Sequence, residues 1–348
     1  MAYKISIICI KVIPLAGFLL FLQPAFGQDW NQFDNELKAR QKLLGNNVVA
    51  MVWAKDTLAY KKELGEFNSK TQAPIASCSK WLTAALVMTF VDEGKISLDD
   101  KVSKYVPELE RYGKGFITFR MCLSHMTGIE DEGKLLKKLF QRKKFSSLED
   151  EVNSFASREI RTNAGEDFWY GSIGPNIAGR ALEVLSKKRF DVLIKQKLFN
   201  PLTMRRTTFT TLDNSAVNPS GGAQSTPDDY MQFLVMLLNK GKYKGKQILS
   251  EASVNEMMKV SIKPGMIKYA PEVAQGHSYA LGAWVLEEKD GKATALASPG
   301  LFGTWPVIDF CRGYIYLVFV KNLLSEERGD VHKELLGLIN KEFAASCP

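Results

Sequence analysis

Ala76-Ser77-Cys78-Ser79-Lys80-Trp81-Leu82-Thr83-Ala84-Ala85-Leu86-Val87-Met88-Thr89-Phe90-Val91 decides how the rest of the chain is read. Apolar residues fall nearly all around this helical stretch, so the spacing predicts a helix enclosed by other elements rather than one lying on a surface. Gly94 is placed to end it, just past the last turn. Ser77 and Lys80 are three residues apart and point the same way from its first turn. A serine hydroxyl is a weak nucleophile until a base takes its proton. Lys80 is within reach, and partial burial would favour its neutral form. The helix start also offers N–H groups where negative charge would develop. Average usage gives about one Ser-x-x-Lys by chance in a chain of this length, so the surrounding sequence has to carry the claim.

The 348 residues suffice for one large or two ordinary domains, and the composition is that of a globular protein. Residues 1–27 read as a secretory signal: Lys4, an apolar stretch at 12–22, and Ala25-Phe26-Gly27 as a cleavage site. The expected product is an exported protein, periplasmic or secreted, with no stable membrane span. Removing the leader takes the formal charge from +8 to +6. That excess is scattered, apart from Lys134, Lys137, Lys138, Arg142, Lys143 and Lys144, read as a solvated helix face. No nucleic-acid module is seen. Cys78, Cys122, Cys311 and Cys347 allow three complete pairings, which the sequence does not choose between. Cys78 and Cys122 read as small buried thiols. Oligomeric state is left open.

Residues 47–68 predict two antiparallel strands around Lys55-Asp56. Residues 101–240 are helical in pattern, with Ile177, Ala178, Ala181, Leu182 and Leu185 on one face of a helix. A second helix has Thr226 as cap, Pro227 at its first position, and a stripe of Tyr230, Phe233, Leu234, Leu237 and Leu238. Strands return at 279–288 and 292–297 around Asp290-Gly291, and at 304–310 and 313–321. A last helix is expected over 330–345. The fold class is therefore α/β (α+β): one antiparallel sheet built from both termini and flanked by helices, with a mainly helical lobe inserted. The expected division of residues 28–348 is an α/β lobe at about 28–100 and 241–348 and a helical lobe at about 101–240.

Other chemistries find little support. Gly-x-Ser-x-Gly and His-Glu-x-x-His are absent, and no cluster has metal-ligand spacing, so no metal or cofactor is expected. The glycine-lysine stretch at 241–246 lacks the length and the Ser/Thr of a phosphate loop and reads as a turn. His125 reads as a structural residue.

Six segments, in order, resemble the class C β-lactamase and penicillin-binding-protein-like serine hydrolases. Ala76-Ser77-Cys78-Ser79-Lys80 is similar to their "ASVSK". The stretch at 117–129, ITFRMCLSHMTGI, resembles "ITIRHLLTHTSGL". Residues 165–172 (GEDFWYGS), 200–209 (NPLTMRRTTF) and 221–229 (GGAQSTPDD) resemble "PGTxFxYSN", "PLGMKDTTF" and "GGLYSTAxDL". Ser298-Pro299-Gly300-Leu301-Phe302-Gly303 stands where the third motif of the family falls.

The resemblance implies the β-lactamase/transpeptidase-like fold and a role for each matching residue. Ser77 would be acylated, with Lys80 as its activating partner. Tyr170 would be a second base, which needs nearby positive charge because a phenol titrates near pH 10. The Ser77 and Leu301 N–H groups would form the oxyanion hole, with Leu301 on the strand after Gly300. Gly300 would leave room for a substrate acyl group. Two departures stand out. Ser172 replaces the Asn expected two residues after the tyrosine, and Ser298-Pro299-Gly300 replaces Lys-Thr-Gly, removing a cation that would hold a substrate carboxylate. Ser172 and Ser298 could contact substrate or support the cleft. The expectation is a secreted serine hydrolase for a small-molecule acyl substrate, an ester or small amide rather than a β-lactam. The alternatives are a binding protein on this fold, or a β-lactamase or D-Ala-D-Ala-type peptidase with an altered third motif.

Overall fold

The computed structural model describes Met1 and residues 28–130, 145–213 and 215–347. The expected leader beyond Met1 and the basic run at 134–144 lie outside the described residues. Seven strands form one antiparallel sheet: β1 (Val48–Ala54), β2 (Thr57–Leu64), β3 (Ser278–Tyr279), β4 (Trp284–Lys289), β5 (Lys292–Ala297), β6 (Trp305–Asp309) and β7 (Tyr314–Val320). Their spatial order is β2-β1-β7-β6-β5-β4-β3. Early and late parts of the chain meet where β1 pairs with β7, from Val48 opposite Val320 to Ala54 opposite Tyr314.

Successive side chains on a strand point to opposite faces, and in β1 and β7 both faces are buried. Val48, Ala50, Val52, Tyr316, Val318 and Val320 face one core, with Phe33 and Leu37 of α1 (Asn31–Arg40). Val49, Met51, Ile315, Leu317 and Phe319 face the other. This explains why both strands read as unbroken apolar runs. The edge strand β2 is half exposed and carries Lys61 and Lys62, which discourages pairing with another chain.

The far face packs against helices. α2 (Ser79–Asp92) is buried from Ser79 to Phe90. α3 (Leu148–Ala156) and α4 (Ile173–Ser186) follow, then α5 (Pro227–Leu238). Trp81 of α2 meets Phe233 of α5 edge-on at 6.1 Å. With neighbours on every side, α2 needs no polar stripe. Gly94 ends it as expected: φ is +65°, its N–H reaches the Val91 carbonyl, and the Lys95 N–H reaches that of Phe90. Thr226 caps α5 by accepting the Asp229 N–H. The last helix, α6 (Glu326–Glu342), joins α1 over the first core through Val331, Leu335 and Ile339. Among the described residues no helix is long and apolar enough to cross a membrane.

Turns formed where expected. Lys55-Asp56 and Asp290-Gly291 take positive φ at both positions, as two-residue hairpin turns require. Lys244-Gly245 does the same within a small hairpin, so the 241–246 stretch is a turn. Two elements differ from expectation. The single strand at 279–288 is split into β3 and β4 at Gly282, φ +81°, where a Cβ would stand 2.9 Å from the Lys80 carbonyl oxygen. The sheet breaks there to let α2 approach. The last helix starts four residues early and stops before Phe343. Beyond it the chain turns back, and Cys347 is joined to Cys311. Cys78 and Cys122 are free and buried.

His332 of α6 is fully buried, stacked on Trp305 at 4.6 Å, with Nδ1 3.2 Å from Tyr316 Oη. Burial holds its pKa down to about 3, whereas in the unfolded chain it titrates near 6.5. As pH falls below 6.5 the unfolded chain takes up a proton that the native one refuses. Stability is therefore lost, by up to about 1.4 kcal/mol per pH unit. His332→Phe should flatten this part of the profile between pH 6.5 and 4.5, as read by denaturant unfolding at stepped pH beside the parent protein.

Candidate active site

Ser77 sits in a one-turn 3₁₀ helix (Ala76–Cys78) that leads directly into α2. Ala76 holds φ at +45°, a region L-residues avoid, so the turn persists only because its surroundings fix it. The Ile75 N–H donates to the Ala223 carbonyl at 3.0 Å. The Ala223 N–H donates to Ser79 Oγ at 3.0 Å, and buried Tyr230 donates its hydroxyl to the Cys78 carbonyl at 3.0 Å.

Lys80 is buried, with Nζ 3.2 Å from Ser77 Oγ and donating to the Ser220 carbonyl at 2.8 Å. That carbonyl is held in place by its neighbours. The Ser220 N–H donates to Asn176 Oδ1 at 3.0 Å, and Thr83 donates to the Pro219 carbonyl at 2.7 Å. Tyr170 follows a short strand, Phe168–Trp169, that pairs in parallel with Ile267–Tyr269. Its N–H donates to the Tyr269 carbonyl at 3.1 Å. Its ring packs 4.7 Å from His125 and 5.2 Å from Trp284, in a cluster with Phe168 and Tyr279. Ser77, Lys80 and Tyr170, separated by as many as 93 positions, thus share one site.

Burial dominates the electrostatics of Tyr170. Burial pushes its phenol well above the usual range, and hydrogen bonds with the Ser77 and Trp284 side chains offset this only partly. Lys80 Nζ lies over the ring, 4.7 Å from its centroid. The phenol therefore stays protonated at neutral pH. Burial also pushes the Cys78 thiol well above its ordinary range, so the thiol beside Ser77 is inert.

The third segment differs from the strand that the resemblance implies. β5 ends at Ala297, and residues 298–304 form a loop, closed by Gly300 N–H to the Thr304 carbonyl and Gly303 N–H to the Gly300 carbonyl, both 2.8 Å. Leu301 lies in this loop, not on a strand. The space that a side chain on Gly300 would take is filled by the Ile75 carbonyl oxygen, 2.3 Å from the Cβ position. Its missing side chain admits the nucleophile turn itself. Ser298 is buried, its hydroxyl directed at the carbonyls of Ser77 (3.4 Å) and Gly282 (3.3 Å), and it supports the cleft. Ser172 precedes the first turn of α4 without capping it by its side chain.

A cavity of about 430 Å³ opens onto Ser77 and Tyr170. Pro299 and Leu301 border it, as do Trp284, residues 269–275 and residues 324–326. Ser172, Ser298 and Gly300 are not among its lining residues. The sequence reading missed the 269–275 wall, Trp284 and Glu326, for which no motif signals. It also missed Ser220, which immediately precedes the glycine pair it did single out.

An antiparallel sheet under helices, with Ser and Lys one turn apart at the mouth of a buried helix, defines the class of β-lactamase/transpeptidase-fold proteins. Residues 33–341 match the family described as Beta-lactamase, and the chain belongs to that family of serine hydrolases. Protein flp of Staphylococcus aureus is 27% identical over 142 residues, 40% of this chain but only 28% of the relative's length. Protein Rv1367c of Mycobacterium tuberculosis is 24% identical over 323 residues, 75% of this chain and 80% of that one. Among solved structures, a candidate β-lactamase from Bacteroides dorei superposes with a TM-score of 0.79 at 26% identity, covering 90% of this chain and 98% of its own. EstCE1, a hydrolase with promiscuous acyltransferase activity, shares the fold at a TM-score of 0.71 and 17% identity, covering 88% and 99%.

Gly300→Ala should force the loop and the Ser77 turn apart. A loss of about 1–3 kcal/mol in unfolding free energy is expected, with slower labelling of Ser77 by a fluorophosphonate. Both are measured against Gly337→Ala in α6, a glycine without positive φ and with nothing within 4 Å of its Cβ position.

Proposed function

We propose that this chain is a hydrolase acting through an acyl-enzyme on Ser77, with an ester or small amide as substrate. The observation that carries this is the joining of Ser77, Lys80 and Tyr170 at one end of a cavity large enough for a small acyl group. Lys80, in its neutral form, takes the Ser77 proton as Oγ bonds to the substrate carbonyl carbon. The Ser77 and Leu301 N–H groups stabilise the resulting oxyanion. When the intermediate collapses the bond to the leaving group breaks, and the Tyr170 hydroxyl supplies the proton that the leaving alcohol or amine requires. Lys80 returns the serine proton to Tyr170. Water then attacks the acyl carbon, giving its proton to Lys80, and the carboxylic acid leaves as Ser77 is re-protonated.

An ester or amide is preferred to a β-lactam because Ser298-Pro299-Gly300 brings no cation to the cavity, and Pro299 brings no N–H. Export is part of the proposal, supported by the leader-like residues 1–27 and by the Cys311–Cys347 disulfide, a bond that persists in oxidising compartments. The two-lobed division, 28–100 with 241–348 against 101–240, is proposed with it.

Intact-mass analysis with a fluorophosphonate, a short-chain nitrophenyl ester and a penicillin tests the reading. Adducts or ester turnover should vanish in Ser77→Ala and fall about 10²–10⁴-fold in Lys80→Met. Turnover that survives Ser77→Ala would end the proposal, and rapid penicillin hydrolysis would reverse the preference for esters.

A further inference from the structure

The cavity beside Ser77 is largely apolar, bordered by Pro271, Val273, Leu301 and Leu324. The only charged side chains among its lining residues are Glu272 and Glu326, both acidic. Glu326 has an unused acceptor: its Oε2 is buried with no hydrogen-bond partner. Lys333 stands 4.0 Å from the other oxygen and closer, 3.1 Å, to Asp330. Aromatic rings add to the same sign of field. Tyr269 and Trp284 border the cavity, and Tyr269 stacks one face on Trp169 at 5.7 Å. Carboxylates and ring faces both attract cations and repel anions.

We propose that the site selects acyl donors whose acyl chain ends in a cation, such as an ammonium group, and disfavours those ending in a carboxylate. The inference rests on the acyl-enzyme reading above and names its substrate class. The acyl carbon is held at Ser77, the apolar wall takes the chain, and the far end meets Glu272, Glu326 and the Tyr269 ring. A carboxylate there finds two like charges, whereas the Lys-Thr-Gly that the resemblance to class C β-lactamases implies at 298–300 would have supplied an opposite one.

The test uses nitrophenyl esters of hexanoate, 6-(trimethylammonio)hexanoate and adipate, which are alike in length but neutral, cationic and anionic at the far end. The order of kcat/KM should be cation, neutral, anion, with each step about three- to tenfold, since both carboxylates are partly solvated. The spread should narrow in Glu272→Gln/Glu326→Gln and in high salt. Ser77-dependent turnover with no charge order, or with the anion preferred, overturns the inference and leaves the hydrolase reading standing. If no ester is turned over, the hydrolase reading fails and calorimetry on Ser77→Ala with the three matching primary amides decides. Tightest binding of the cationic amide upholds the charge preference, and equal or absent binding ends it.

Discussion

The Ile75 carbonyl oxygen stands 2.3 Å from where a side chain on residue 300 would begin, and the Lys80 carbonyl 2.9 Å from where one on residue 282 would. Backbone meets backbone on both sides of the Ser77 turn, and much of the site depends on that closeness. It brings the 298–304 loop, and with it Leu301, against the nucleophile. It forces the sheet to break between β3 and β4. It also confines Ala76 in a conformation it would leave if free. Tyr230, reaching across from α5 to the Cys78 carbonyl, and Ala223, bonded to both Ile75 and Ser79, close the remaining sides.

The same closeness sets the electrostatics. Burial keeps the proton on Tyr170, and Cys78 is silenced by the burial that makes α2 a good core helix. Lys80 lies behind Ser77, outside the cavity lining, while Glu272 and Glu326 make the cavity's border negative. A family member with a lysine in its third motif would carry positive charge further out. Ser298 stands where the resemblance implies that lysine, and its hydroxyl is directed at the Ser77 and Gly282 carbonyls.

Much of this was legible in the residues. Helical and strand periodicities located α2, α4, α5 and the strands from β1 to β7 within a few positions, because each has a face or faces committed to a core. Caps and turns such as Gly94, Thr226 and Asp290-Gly291 were read from local backbone preferences that tertiary contacts did not override. Where the reading slipped, at Gly282 and at the start of α6, the cause was packing against a distant element. Ser77 and Lys80 were found together because one helical turn joins them, and Tyr170 only because a resemblance linked it to them.

The sequence by itself determined the helix with Ser77 and Lys80 at its mouth, the sheet assembled from both parts of the chain, and the absence of a lysine from Ser298-Pro299-Gly300. These follow from periodicity and residue identity, which are local. Tertiary structure alone decided that Gly300 lies tight against the Ser77 turn. It also decided that Tyr170 is buried beside Lys80, and that Glu272 and Glu326, 54 positions apart, border one cavity. Those outcomes depend on which backbones touch and which groups lose water, and no window along the chain contains both partners of such a contact.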